Sequence, residues 1–591
     1  MLQYYFEKGW VQNVTLALLL ALIGCYFGFF FHFDYDFNWS VLYTETEYGN
    51  MGELLVHGLG LTISISFYSA LIALVLGTLF GLARLSQFKP VYVFATAYVE
   101  FFRNTPLLVQ LFFWNFALPA GLPEQIKMAL FSMNFEFWVA TLGLGIYTSS
   151  FMAEIIRAGI QSVPKGLLEA SYSSGMTYGQ SLRKIILPLA FREIMPPLGS
   201  EFLNNMKNSS LAMTVGVAEV CWSAQEVEAL TYSGFEATAA ATGIYLILSL
   251  LISLFLNLVN ARLKIVDEAS KDFMRIIAEV VFAPVTWLHT AFSTALALFP
   301  SPQLDAKTLT PAQVARQNLR KRLWFVTQNG AKMLFVLGLA ALLFQAVRGL
   351  MSFNYQIIWD NLQALLIWRF PKGGSSEVFS GLGGLSMSLI MALICITVSF
   401  FIGLVVGLGR SAKNRVARIP SLFYIELIRG NPLIMVIFWV YFFVPPMLKI
   451  QLDVFWSAVV AMTIFFGAYI AEIVRGGIEN IPPGQVEAAK STGLSYLQTM
   501  RHIILPQALK QMLPAIVGLF IAAFKDTSLA YIIGVMELTT AAYSINNRLM
   551  LYPFEIYTTI AVLYFICCYI LSQYAKQLER KLTPEKVRLA M

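Results

Sequence analysis

Glu100 and Arg103 stand three residues apart inside an apolar stretch, and so do Glu426 and Arg429. That spacing places each pair on one helix face. Charges mid-run in an apolar helix are costly and must be paired or hydrated. Asn104-Thr105-Pro106 and Gly430-Asn431-Pro432 follow directly and should break each helix. A broken helix exposes backbone donors and acceptors. Beside it, a guanidinium can grip a carboxylate with two prongs and a glutamate can answer an ammonium. The pairs therefore suit a small zwitterion, or equally an ion pair that braces the kink. Lys207 and Lys525 also lie in apolar helices, each followed by a short polar run, Asn208-Ser209-Ser210 or Asp526-Thr527-Ser528. They can line a pathway, or snorkel and pair with a neighbouring helix end.

Other chemistry is missing. The four histidines (His32, His57, His289, His502) form no metal-ligand pattern, and the five cysteines sit in or beside apolar segments without paired spacing. No nucleophile–base constellation is evident, so no catalytic residue, metal or cofactor is expected. The chain lacks the G-x-x-x-x-G-K-[S/T] phosphate loop, so it should not bind ATP in that way.

A second constellation is polar and repeated. Glu169-Ala170-Ser171 is followed by Gly175 and, nine residues on, by Ile185-Ile186-Leu187-Pro188. Glu487-Ala488-Ala489, Gly493 and Ile503-Ile504-Leu505-Pro506 repeat it at an offset of 318. Glu169 is expected to open a short helix, where a carboxylate suits the positive end. Gly175 should permit a sharp turn, and Pro188 should restart helical structure. Such an element can transmit a push from a partner.

These residues are held by a membrane chain. The 591 residues are 58% hydrophobic and only 13% charged, with a mean hydropathy of +0.66. Soluble domains carry about 25% charge. Apolar runs long enough to cross a bilayer recur about a dozen times. The net charge of +7 fits basic loops on one side of a membrane rather than a nucleic-acid surface. The repeat extends further: Gly77, Gly81 and Arg84 match Gly403, Gly407 and Arg410 at an offset of 326, as do Glu100, Arg103 and Pro106 with Glu426, Arg429 and Pro432. Glu154, Arg157 and Gly159 then match Glu472, Arg475 and Gly477 at 318. The two glycine pairs read as small-residue helix-packing stripes.

Helices are expected near 58–83, 92–117, 136–158, 194–217 and 237–261, and again near 384–409, 420–445, 453–476, 508–535 and 554–575. An extra helix precedes each set, near 10–31 and 332–350, for about twelve spans. The fold class is therefore all-α and polytopic. The domains read as an N-terminal helix and outer loop (1–54), a first repeat (55–265), a linker (266–331), an extra helix and outer loop (332–381), a second repeat (382–578) and a tail (579–591).

Residues 33–53 and 218–236 hold acids and no Lys or Arg, whereas Arg84, Lys89, Arg157, Lys165, Arg183, Lys184, Arg410, Lys413, Arg415 and Arg418 crowd the opposite side. The positive-inside rule puts both Glu-Ala motifs and both termini in the cytoplasm. Residues 276–299 tempt a membrane assignment but contain Glu279, Pro284 and His289. A span there would invert the second copy, so a surface-lying helix is expected. The basic tract at 316–322 then marks a cytoplasmic restart, and the two copies form parallel repeats.

The Glu-Ala-Ala, Gly, Ile-x-Leu-Pro pattern resembles the signature of permease subunits of ATP-binding-cassette importers, with Ser171 as the one small-for-small departure. VEFFRNTPLLVQLFFW (99–114) and IELIRGNPLIMVIFW (425–439) are similar to the second core helix of the polar amino-acid branch. The first half looks most similar to glutamate/aspartate permeases and the second to general L-amino-acid permeases. The resemblance implies that the Glu-Ala segments are coupling helices docking on ATPase subunits, two of them for one fused chain. It implies a periplasmic or extracellular amino-acid-binding protein, a bacterial inner-membrane location, and ATP hydrolysis on a partner. The competing reading is a secondary amino-acid transporter with two parallel six-helix halves. That reading accounts for the duplication but not for the repeated coupling motif.

Overall fold

The computed structural model describes residues 9–30, 35–263, 311–367 and 381–582. The surface-lying helix expected at 276–299 falls outside them. Among the described residues eight helices are long and apolar enough to span a membrane, or nine when one bent pair counts as a span. The count is below twelve for physical reasons. Leu187–Asn208 carries Arg192, Glu193, Glu201 and Lys207, too many charges for a simple span. The second core helix of the first copy is divided into Lys89–Asn104 and Leu107–Phe112.

Each copy is built on one close helix pair. Met51–Ala83 packs along Phe135–Gln161, and Gly384–Ser411 packs along Val454–Glu479. The glycine stripes bring the backbones together: a Cβ added at Gly77 would lie 2.7 Å from Met152 Cβ, and one at Gly403 would lie 2.5 Å from Ile470 Cβ. Close approach of this kind is the main source of helix association where lipid removes the hydrophobic drive.

The halves exchange their second core helices. Phe112 of the first copy packs within 5.3 Å of Tyr531 and 5.7 Å of Tyr557. Trp439 of the second lies 5.3 Å from Phe235 and donates its indole N–H to Thr242 at 2.8 Å. One apolar cluster accordingly contains Phe112, Leu144 and Leu211 together with Met391, Phe524 and Tyr557. The extra helices cross over too. In Gly9–Phe30, Gln12 accepts from the Arg415 backbone N–H at 3.1 Å. In Pro311–Met351, Phe335 packs on Phe94 at 6.0 Å.

Among the described residues four π-helical turns punctuate the bundle, at Phe113–Ala117, Leu182–Ile186, Trp439–Phe443 and Met500–Ile504. Each is followed, two residues past its end, by Pro119, Pro188, Pro445 or Pro506. A proline ring clashes with the carbonyl four residues earlier and lacks its own N–H. A single widened turn absorbs that clash without ending the helix.

Candidate functional site

The second core helices break where expected. Thr105 and Asn431 leave the helical region, at φ −108° with ψ 142° and 155°. The helical axis of the second copy turns by 110° across the break. Bending strips the last carbonyls of their usual partners four residues on. Gln110 Nε2 answers the Phe102 carbonyl at 3.0 Å. The Arg103 carbonyl receives Lys525 Nζ at 3.0 Å, and the Arg429 carbonyl receives Lys207 Nζ at 3.0 Å. Both lysines reach across from the other copy.

Around these junctions lies a cavity of about 260 Å³. Leu187–Asn208 and the turn after it contribute Glu201, Asn204, Lys207 and Asn208, while Leu505–Asp526 contributes Leu519, Ala522, Lys525 and Asp526. Asn431 and the aromatic residues Tyr147, Phe151, Phe465 and Tyr469 complete the wall. Lys207 and Lys525 are 8% and 6% exposed. Two larger cavities, about 460 and 420 Å³, lie at equivalent lateral positions beside the bent helices and are lined by no charged group among the described residues. The charged central cavity is therefore the candidate site.

The two sides of the cavity differ. At the repeat offset of 318, Glu201 corresponds to Leu519, Asn204 to Ala522 and Asn208 to Asp526. Glu201 accepts from Asn204 Nδ2 at 3.4 Å. Sequence reasoning alone does not single out Glu201 and Asn204. Their signal was the spacing Glu201, Asn204, Lys207–Asn208, which puts four polar residues on one face of a membrane helix.

The other candidate residues sit behind the cavity. Among the described residues no ion pair joins Glu100 to Arg103 or Glu426 to Arg429. Glu100 instead meets Lys576 at 3.1 Å and Arg84 at 4.0 Å. Arg103 lies over the Phe151 ring at 5.4 Å, and Arg429 over the Tyr469 ring at 5.3 Å and 3.8 Å from Glu472. Glu426 is exposed. Glu154 and Glu472 are the hubs: Glu154 pairs with Arg84 and Arg157, and Glu472 with Arg475 at 2.6 Å.

The Glu-Ala segments form exposed nine-residue helices, Lys165–Ser173 and Pro483–Ser491. Glu169 and Glu487 occupy the fifth position rather than opening the helix; Pro164 and Pro482 precede the first turn. Glu169, Ala170, Glu487 and Ala488 face outward, whereas Ser171 and Ala489 are buried. Gly175 and Gly493 both adopt φ +77°, the left-handed region. Pro188 and Pro506 sit at the second residue of Leu187–Asn208 and Leu505–Asp526, so the helix runs on through the widened turn.

Comparison with known proteins follows the repeat. The family described as "Binding-protein-dependent transport system inner membrane component" matches residues 53–265 and 399–584. The glutamate/aspartate import permease protein GltJ of Escherichia coli (strain K12) is 35% identical over 238 residues, 39% of this chain and 96% of its own length. The probable glutamine ABC transporter permease protein GlnP of Bacillus subtilis (strain 168) is 42% identical over 202 residues, 34% of this chain and 92% of its own. A solved amino acid ABC transporter with histidines is 34% identical, covers 34% of this chain and 92% of that one, and superposes with a TM-score of 0.32.

Proposed function

The chain belongs to the family of binding-protein-dependent transport system inner membrane components, and from that premise we propose that it is the whole membrane part of an ATP-driven importer of polar amino acids. The observation that carries this reading is that two family segments in one chain together line one charged cavity between them. The relatives are named for glutamate, aspartate and glutamine, which supports a polar amino acid as cargo.

In this reading Lys207 and Lys525 line the pathway. Glu100, Arg103, Glu426 and Arg429 hold the bent helices that frame it. The exposed helices centred on Glu169-Ala170 and Glu487-Ala488 are coupling helices, one for each of two ATPase subunits. Gly175 and Gly493 shape their exit turns, and Pro188 and Pro506 join them to the pathway helices. The ATPases supply the hydrolysis that this chain has no phosphate loop to perform. A soluble binding protein delivers the amino acid from the opposite face. The termini and coupling helices lie on the cytoplasmic side of the inner membrane, where the basic residues gather.

Uptake by reconstituted vesicles tests the reading. ATP enclosed with the ATPase partner, and amino acid supplied with the binding protein, should drive accumulation in the absence of any ion gradient. Accumulation driven by an ion gradient in vesicles lacking the ATPase would establish the secondary-transporter reading instead.

A further inference from the structure

Each bent helix is closed by a lysine from the opposite half. Lys207 Nζ donates to the Arg429 carbonyl at 3.0 Å and to the Tyr469 hydroxyl at 3.1 Å. Lys525 Nζ donates to the Arg103 carbonyl at 3.0 Å and to the Tyr147 hydroxyl at 3.5 Å. The carbonyls are those the bend has orphaned, at the negative end of a helix, where a cation is favoured. The tyrosines are not equivalent in sequence. Tyr147 corresponds to Phe465, and Tyr469 to Phe151, so the hydroxyl sits one turn further along in the second copy. Each hydroxyl nevertheless reaches the lysine of the other half.

The same ammonium groups wall the central cavity. An ammonium has three donors, and in each lysine two go to the opposite half. A buried cation favours an anionic partner over neutral ones, because opposite full charges attract strongly where water is excluded. A carboxylate entering the cavity can take the third donor and, as a full charge, draw the ammonium towards itself and away from the carbonyl and the phenol. We propose that Lys207 and Lys525 are both the subsite for the amino acid's α-carboxylate and a pair of latches between the halves, so that substrate binding loosens the contact holding the bent helices together. This rests on the pathway reading above. It also gives cargo a route to the ATPase face, because both lysines lie at the far ends of the helices that begin at Leu187 and Leu505. Coupling of this kind is reciprocal: weakening the latch without removing the lysine must tighten carboxylate binding.

The test measures binding to the purified full chain in lipid nanodiscs by calorimetry, with L-glutamine and its α-carboxamide as probes. The parent should bind glutamine at least about tenfold more tightly than the carboxamide, as befits loss of a hydrogen bond to a charged group. Lys207→Met with Lys525→Met should erase that difference. Tyr469→Phe and Tyr147→Phe keep the lysines and remove a competing acceptor. They should tighten glutamine by up to about tenfold, the lower end of the value of a hydrogen bond to a charged group. Phenylalanine already stands at the matching position of the other half, so these variants are compatible with the fold. Equal binding of the two probes, binding of neither, or unchanged or weaker glutamine binding in the tyrosine variants would each overturn the proposal. The importer reading is judged separately, by ATP-driven uptake in vesicles.

Discussion

Ser171, the one departure from the repeated motif, has a local reason. It is 3% exposed, and its hydroxyl donates to Ser181 Oγ at 2.7 Å. The second copy has Ala489 and Thr499 at these positions, and Thr499 Oγ1 is buried without a partner. The proposed coupling segment is thus pinned by a hydrogen bond in one half and by packing in the other. Ser171→Ala should cost about 1 kcal/mol and make the 165–181 segment easier to cleave by limited proteolysis. Ala489→Ser should protect the second segment by supplying the missing partner. Equal protease sensitivity of parent and both variants would show that the bond is idle.

Glu219 and Glu537, at matching places in the two halves, are fully buried carboxyls, each 0% exposed. Each caps a short helix. Glu219 accepts from the Cys221 and Trp222 N–H groups at 2.9 and 3.1 Å, and Glu537 from those of Thr539 and Thr540 at 2.8 Å. Burial outweighs these bonds and pushes both carboxyls up to about 7. An unfolded glutamate titrates near about 4.3, so the folded chain binds more protons in between. The stability these groups contribute is complete below the unfolded value and is lost as pH rises through about 7. The melting temperature in nanodiscs should therefore fall between about pH 5 and pH 8. Glu219→Gln with Glu537→Gln, which keeps an accepting oxygen for the caps, should flatten that slope. An unchanged slope would mean that other groups set the pH dependence.

At the scale of elements, the breaks and turns were readable because proline and glycine act through local geometry. Asn104-Thr105-Pro106 and Gly430-Asn431-Pro432 each end a helix at the break. Partners across the bundle were not readable. Glu100 meets Lys576 from the last helix, a contact 476 residues away that no spacing rule reaches. Arg429 prefers Glu472 to its neighbour Glu426 for the same reason: tertiary packing overrides a pairing three residues apart. The widened turns were missed because the sequence signal, a proline inside an apolar run, reads first as a helix start. Gly175 and Gly493 offer the sharpest test of the proposed coupling element. A Cβ at either would meet nothing within 4 Å, so crowding is not the issue. At φ +77° a β-branched residue instead strains the backbone by about 1–3 kcal/mol. Gly175→Val or Gly493→Val should lower ATP-driven uptake severalfold while leaving the amount of inserted protein unchanged. Full uptake in both variants would remove these turns from the coupling path.

The whole molecule is a closed exchange between two halves. Each donates its second core helix to the other's core, each lysine closes the other's bent helix, and each extra helix packs on the other half's bent segment. Among the described residues, each half's bent helix and lysine find their pseudo-symmetric partners within the one chain. The exchange was hidden in the sequence, where the repeat is visible but the faces that meet are not. With one proposed coupling helix per half, a single chain offers two docking points. The purified importer should therefore contain one copy of this chain and two ATPase subunits, as weighed by native mass spectrometry. Disrupting the exchange should dissolve that unit: Trp439→Ala removes the ring packed against Phe235 and the bond to Thr242 and should cost about 3–5 kcal/mol. The variant should lose ATPase subunits or unfold at lower temperature. A parental complex holding two copies of this chain for each ATPase pair would mean that the halves pair between chains, and the fused single-chain pathway would be wrong.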